Sequence, residues 1–141
     1  MAKQQFVRIK KNNLKKLAQM APAKAEAALA VLGEEGVNIA KESMLDSPAT
    51  GRTYKRGRKT HVASSPGNPP RPDKAILLNS LRHESRGQLV RVIVAASDHA
   101  EPQEFGSAAR NLAPRPFMGP MALEVEGLVP EVFDRFLEDE A

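Results

Sequence analysis

The sequence predicts an α+β fold in which a small antiparallel β-sheet packs against a long N-terminal helix and a C-terminal helix. Apolar residues at helical spacing predict the two helices, and a run of β-branched residues after a glycine-containing turn predicts a hairpin between them. The 141 residues, 41% of them hydrophobic, favour a single domain over 1–141. Its core is expected to be aliphatic, because the chain has five Phe, one Tyr and no Trp.

Two elements are expected before residue 22. Residues 6–10 alternate apolar and basic side chains, which predicts a short strand. Asn12 or Asn13 can cap a helix whose apolar residues recur at helical spacing as far as residue 21.

A longer helix is predicted over residues 22–46. Pro22 suits its first turn, and Ser47-Pro48 ends it. Gly33 and Gly36 leave two alternatives, one continuous helix or a break between the glycines. The apolar face resumes in phase after the glycines, which favours one helix.

Residues 48–74 concentrate positive charge. They hold seven Lys and Arg against Asp73, a net +6, although the whole chain carries a formal +4. Five prolines and three glycines in the same segment predict a long irregular loop or an extended arm. One interpretation is a solvated loop that its like charges hold open. The other is a contact with DNA phosphates or a neighbouring subunit through Arg52, Lys55, Arg56, Arg58, Lys59, Arg71 and Lys74.

The remaining segments predict a hairpin and two further helices. Residues 76–81 begin as a helical turn or a strand, and the chain then turns at Arg86-Gly87-Gln88 into a strand over 89–95. A short helix over 100–106 is expected to stop at Gly106, followed by a loop. Apolar spacing from residue 125 to 137 predicts the C-terminal helix, which Pro130 kinks or restarts. The solvent side and tail of this helix are acidic: Glu131, Asp134, Glu138, Asp139 and Glu140.

Residues that catalysis or metal binding requires are missing or scattered. The chain has no Cys, which excludes disulfides, thiolate zinc sites and Cys nucleophiles. His61, His83 and His99 do not have metal-ligand spacing and are interpreted as surface or turn residues. Glu101 and Glu104 are interpreted as a solvated helix face. We therefore expect no enzyme, no cofactor and no metal.

The sequence also gives no indication of membrane insertion or export. The longest apolar run, 27–32, is far shorter than a membrane-spanning helix requires. The N-terminal residues lead into no apolar segment of signal-peptide length, which predicts a cytosolic origin.

Four motifs occur in an order that carries a resemblance. They are SPATG at 47–51, PGNPP at 66–70 with LNSL at 78–81, AEPQEFGS at 100–107, and RPFMGPMA at 115–122. Together they resemble the small neck or tail-completion proteins of long-tailed bacteriophages and prophages, the lambdoid head–tail joining type. The chain departs from the family by a basic, Pro-rich insertion that separates Thr50-Gly51 from Leu78, by His99 in place of tyrosine and by Ser107 in place of threonine.

The resemblance implies a non-enzymatic structural subunit of the virion, made in the host cytoplasm. Such subunits form rings, often hexamers, at the head–tail junction and contact connector and tail proteins. A tail terminator ring is the alternative within this class. A basic DNA-binding or host-interaction protein is the alternative outside it, and contact of the basic segment with genomic DNA is compatible with either.

The resemblance also marks fold-defining residues: Glu104, Phe105, Gly106, Pro116 and Phe117. Phe105 is expected to be buried at the end of a short helix, with Gly106 allowing the chain to reverse. Pro116 is expected to hold an extended segment, and Phe117 to anchor that segment to the core.

Overall fold

The computed structural model describes residues 22–138, which form an α+β arrangement of two long helices, two short helices and two antiparallel hairpins. The predicted fold class is therefore confirmed. The strand expected at 6–10 and the helix expected up to residue 21 lie outside the described residues. In chain order the elements are α1 (Pro22–Leu45), β1 (Thr53–Arg56), β2 (Lys59–Val62), α2 (Ile76–Ser80), β3 (Leu81–Ser85), β4 (Arg91–Ala95), α3 (Ala100–Phe105) and α4 (Met118–Glu138).

Helix α1 is continuous from Pro22 to Leu45, as the favoured alternative predicted. Its two glycines cost roughly 1 kcal/mol each in helix propensity. Glycine at these positions allows close packing. A Cβ on Gly33 would lie 2.7 Å from His83 Nδ1, which is too close for an ordinary contact. A Cβ on Gly36 would overlap Ile93 Cδ1. The glycines thus let the β3–β4 hairpin approach the helix backbone directly.

The core lies between α1, α4 and the β3–β4 hairpin. It is mainly aliphatic, as predicted, and Phe117 is its largest fully buried side chain. Each large apolar side chain buried here contributes about 1.5–3 kcal/mol by leaving water. The buried cluster consists of Ala25, Ala28, Leu32, Val37, Ala40, Met44, Leu81, Ile93, Phe117, Met121, Val125, Val129, Val132 and Phe133.

The hairpin predicted before residue 95 is present. Strand β3 pairs with β4 in a register that runs from Leu81 opposite Ala95 to Ser85 opposite Arg91. The residues before β3 form the helical turn α2, which resolves the alternative left open by the sequence.

The segment 48–74 is more regular than an irregular loop. Strands β1 and β2 pair antiparallel between Thr53 and Val62 and are joined by the two-residue turn Gly57-Arg58. Gly57 has φ +63°, a conformation that hairpin turns of this length require and glycine adopts readily. Over these ten residues the chain forms a hairpin, so of the two alternatives the irregular loop does not apply there. All five prolines lie outside the two strands, so none interrupts the ladder.

The last two helices frame the C-terminal half. Helix α3 ends at Phe105, and Gly106 follows with φ +77°, as predicted for a glycine stop. Helix α4 begins at Met118, ahead of the apolar pattern that predicted it, and continues through Pro130.

Candidate functional site

The basic residues predicted as contacts are concentrated on the β1–β2 hairpin. Six of the seven are exposed, and Arg71 is half-buried. The pairs of the ladder place Arg56 opposite Lys59 and Lys55 opposite Thr60. Since side chains alternate along a strand, Lys55 lies on one face of the hairpin, and Arg56 and Lys59 lie on the other. The hairpin therefore presents cations on both faces and at its turn.

Backbone hydrogen bonds extend the ladder below the strands. Gly51 N donates to Ala63 O at 2.7 Å, and Ala63 N donates to Arg52 O at 2.9 Å. A Cβ on Gly51 would overlap the carbonyl of Ser64, so only glycine permits this approach. The base of the hairpin is thus fixed to the segment that follows it, while the exposed tip extends from this base.

Two arginines hold the returning segment in place. Arg71 Nη1 donates to Val62 O at 2.6 Å, and Arg115 Nε donates to Ser64 O at 3.1 Å. Arg71 was predicted as a contact residue for a partner. Its half-buried position and its bond to a strand carbonyl give it a structural role in addition to that prediction.

A cavity of about 370 Å³ opens between the hairpin, the segment 70–78 and helix α3. Its basic lining residues are Arg56, Arg71, Lys74 and Arg115, and its one acidic lining residue is Asp73. Arg56 forms an ion pair of 3.1 Å with Asp73. Tyr54 and His61 line the cavity beside Arg56, which shows that this face of the hairpin turns toward it.

Three of the lining residues carry buried polar atoms without a hydrogen-bond partner among the described residues. They are the Ser64 hydroxyl, Arg71 Nε and Gln103 Oε1. Unsatisfied buried groups of this kind cost about 1–3 kcal/mol each, so native proteins usually pair them with water, protein or ligand. The wall of this cavity therefore contains basic side chains and also buried polar atoms that have no hydrogen-bond partner among the described residues.

Aromatic and polar contacts involve two other side chains of the hairpin region. The Arg52 guanidinium lies 5.5 Å from the centre of the Tyr54 ring, a cation–π distance. His61 Nδ1 lies 4.0 Å from Asp73 Oδ1, at the other side of the carboxylate that Arg56 contacts.

The motif around Glu104 differs from the expectation. Phe105 is 51% exposed and does not fill the core, whereas Glu104 is only 8% exposed. The interpretation of Glu104 as a solvated residue is therefore wrong, although Glu101 is exposed as expected. The burial of Phe117 agrees with its predicted anchoring role.

Glu104 is buried because it caps helix α4. Its Oε2 accepts hydrogen bonds from the backbone N–H groups of Phe117 at 2.8 Å and Met118 at 2.9 Å. Its Oε1 accepts a third from Gly119 at 2.9 Å. The first N–H groups of a helix have no partner inside the helix, and a carboxylate there also interacts favourably with the helix dipole. Pro116 and Phe117 supply no capping side chain, which is the signal in the sequence for a distant cap.

The histidines are dispersed. His99 is exposed in a turn, as predicted, whereas His61 and His83 lie in strands and are half-buried. His83 Nε2 lies 3.0 Å from Glu34 Oε2 across the packing of β3 on α1. Between residues 22 and 138, no group of three His, Cys, Asp or Glu side chains is arranged to hold a metal ion.

The described helices include none that is both long enough and apolar enough to cross a membrane. The sequence singled out Glu104 but not its capping role, and it gave no signal for Ser64 or Gln103, whose polar atoms are buried. Comparison of the chain with protein-family models, with curated proteins and with solved structures finds no significant match.

Proposed function

We propose that this chain is a structural subunit of a long-tailed bacteriophage or prophage virion, forming a ring at the head–tail junction as a neck or tail-completion protein. A tail terminator ring at the top of the tail tube is the alternative position. The proposal makes the chain non-enzymatic and gives it the host cytoplasm as its place of synthesis.

The observation that carries the proposal is the separation of charge between two exposed elements. The β1–β2 hairpin presents basic side chains, while α4 presents Glu124, Glu126, Glu131 and Glu138 to solvent. A surface of each sign on one chain favours head-to-tail contacts, which close into a ring when the rotation between subunits allows it. The ordered motifs that resemble the head–tail joining family give the same class of protein.

The test is the assembly state of the purified full chain. We expect wild-type protein to form a closed ring, often a hexamer, in sedimentation velocity and negative-stain images. The variant Arg56→Gln/Arg58→Gln/Lys59→Gln removes three of the exposed cations at and beside the turn and should weaken assembly at least tenfold.

The matched control is Lys41→Gln/Arg82→Gln/Arg110→Gln, which removes three charges outside the hairpin. It should assemble like the wild type. Rings that form equally well from both variants would show that the hairpin charges do not drive assembly. A wild-type chain that stays monomeric at high concentration would contradict the proposed function itself.

Contact with DNA is a second candidate, favoured by the exposed cations Lys55 and Arg58 on the outer face and turn of the hairpin. Phosphate contacts release counterions, so log Kd should change with log salt by about 0.9 for each contact. A fluorescence titration of a duplex at several salt concentrations measures this slope. Strong binding by a chain that remains monomeric would favour the DNA-binding or host-interaction alternative.

A further inference from the structure

The cavity beside the hairpin has the chemistry of a site for an acidic peptide. Its mouth carries Arg56 and Lys74, both exposed, and its interior is bordered by Arg71 and Arg115. Apolar side chains complete the lining, including Leu77, Leu78, Met44 and Leu112. A peptide fits such a surface when its carboxylates meet the cations at the rim and its backbone lies over the apolar residues.

Buried polar atoms in the cavity wall are a second, independent observation. Among the described residues, the Ser64 hydroxyl, Arg71 Nε and Gln103 Oε1 are buried around this cavity without hydrogen-bond partners. The hydroxyl and the guanidinium N–H are donors closed off from solvent, so they reach a bound carboxylate only after their side chains rotate toward it. The cavity is too small for a nucleic-acid duplex but holds two or three side chains.

The chain itself contains a segment of the required chemistry. Glu138, Asp139 and Glu140 form an uninterrupted acidic run at the end of α4. Helix α4 has 21 residues and therefore a length of about 31 Å. Arg115 lines the cavity only three residues before that helix begins.

This geometry places the acidic run far from the cavity of its own chain. Three residues reach at most about 10 Å, which leaves roughly 20 Å between the Cα atoms of Arg115 and Glu138. Asp139 and Glu140 follow by one and two residues, a further reach of about 7 Å. A second copy can bring its acidic run to the cavity without spanning this distance.

We infer that the cavity binds the acidic run 138–140 of a second copy of this chain. The inference rests on the self-assembly in the proposed function and assigns the two surfaces that meet. Arg56 and Lys74 contact the carboxylates from the rim, and Arg71 provides the inner positive charge.

Photo-crosslinking between two isotopically distinct full chains tests this assignment. Position Ile76 lines the cavity and is 55% exposed, so an unnatural photoreactive residue, p-benzoylphenylalanine, is tolerated there. The probe-bearing chain has natural nitrogen and is mixed with a ¹⁵N-labelled chain. Trypsin cleaves after Arg135 and releases the acidic run in one peptide, so mass spectrometry identifies both the partner residues and the copy that supplied them.

We expect crosslinks from position 76 to the ¹⁵N-labelled peptide that begins at residue 136. The donor variant Glu138→Gln/Asp139→Asn/Glu140→Gln and the acceptor variant Arg56→Gln/Lys74→Gln should each lower the yield roughly tenfold. The control Arg82→Gln/Arg110→Gln removes two exposed charges that do not line the cavity and should stay within twofold of wild type. Thermal unfolding verifies that each variant is folded.

A charge exchange keeps the test decisive if the acceptor variant unfolds. Lys74→Glu should abolish the crosslink to a wild-type donor and recover it with a Glu140→Lys donor. Crosslinks to other peptides, or only within one isotope, would overturn the assignment. Rings that persist with crosslinks elsewhere would refute the site alone, whereas a chain that does not self-associate would refute the proposed function as well.

Discussion

Glu104 should contribute more to stability than any other carboxylate whose bonds are described above. One carboxylate accepts three backbone N–H groups at the start of α4, between 2.8 and 2.9 Å. A hydrogen bond to a charged group contributes about 1.5–3 kcal/mol, but three bonds to one side chain do not add fully. Each buried donor that loses its partner costs about 1–3 kcal/mol, so three losses that are not fully additive amount to about 3–5 kcal/mol. We expect Glu104→Ala to lower the free energy of unfolding by about that amount.

The isosteric variant should fall between the wild type and the alanine variant. Glu104→Gln keeps one oxygen and replaces the other by an NH₂ group, which faces N–H donors and accepts nothing. Oε1 accepts one hydrogen bond and Oε2 accepts two, so the amide loses one or two of the three bonds. The free energy of unfolding should therefore fall by about 1–3 kcal/mol. The melting temperature should fall by about 4 °C for each kcal/mol, hence by about 12–20 °C for the alanine variant.

Circular dichroism during urea and thermal unfolding measures these differences. Glu101→Gln is the matched control, since Glu101 is exposed on the same helix and should change stability by less than about 0.5 kcal/mol. Hydrogen exchange should also show loss of protection at the amides of Phe117, Met118 and Gly119 in the Glu104 variants. An alanine variant as stable as Glu101→Gln, with these amides still protected, would refute the capping role.

The remaining predictions concern two glycines and one ion-pair network. Gly51→Ala should destabilise the hairpin base by about 1–3 kcal/mol, because its Cβ meets the backbone of Ser64. The Cβ of Gly127→Ala meets nothing within 4 Å, so this variant should stabilise α4 by about 0.5–1 kcal/mol. Urea unfolding of both variants measures the two changes. Hydrogen bonds from Arg86 and then Arg82 lower the pKa of Glu84 from its ordinary 4.5. The stabilisation by Glu84 is therefore present above pH 4.5 and lost as the pH falls through the lower folded-state pKa. The stability difference between wild type and Glu84→Gln should accordingly vanish in strong acid, and a difference that persisted at pH 2 would contradict the ion-pair origin.

The sequence predicted the elements whose signals are local. Helix α1 could be predicted as continuous because its apolar face keeps its phase across Gly33 and Gly36. The structure adds the reason for those glycines, which is the approach of β3 and β4 and has no trace in the helical pattern. The β3–β4 hairpin was predictable because a turn signal precedes a run of β-branched residues.

The β1–β2 hairpin was missed because its strands lack an apolar face. All of β1 and half of β2 are exposed, so the alternation that identifies a half-buried strand is absent. What forms the hairpin is a two-residue turn at Gly57 together with non-local bonds such as Arg71 to the Val62 carbonyl. Sequence reasoning took the glycines and prolines as features of one irregular segment, although the prolines lie only on its flanks.

Phe105 and Glu104 were assigned the wrong environments for a related reason. Hydropathy places phenylalanine inside and glutamate outside, and that preference normally decides. Here the first N–H groups of α4 decide the environment, because neither Pro116 nor Phe117 has a side chain that can accept their hydrogen bonds. Burial of one paired carboxylate costs less than three unsatisfied donors, so the glutamate turns inward and the phenylalanine remains exposed.

The cations on the hairpin contribute little to its folding. Arg56 and Lys59 lie directly across the ladder from each other, an arrangement of like charges that destabilises an antiparallel pair. The carbonyl bonds that hold the segment come instead from Arg71 and Arg115. Replacing Lys59 by Thr should therefore keep or raise stability by up to about 1 kcal/mol in urea unfolding, because it relieves that repulsion. If the same substitution weakens assembly, the positive charge acts on a partner and not on the fold. A loss of stability would instead place Lys59 among the residues that hold the hairpin together.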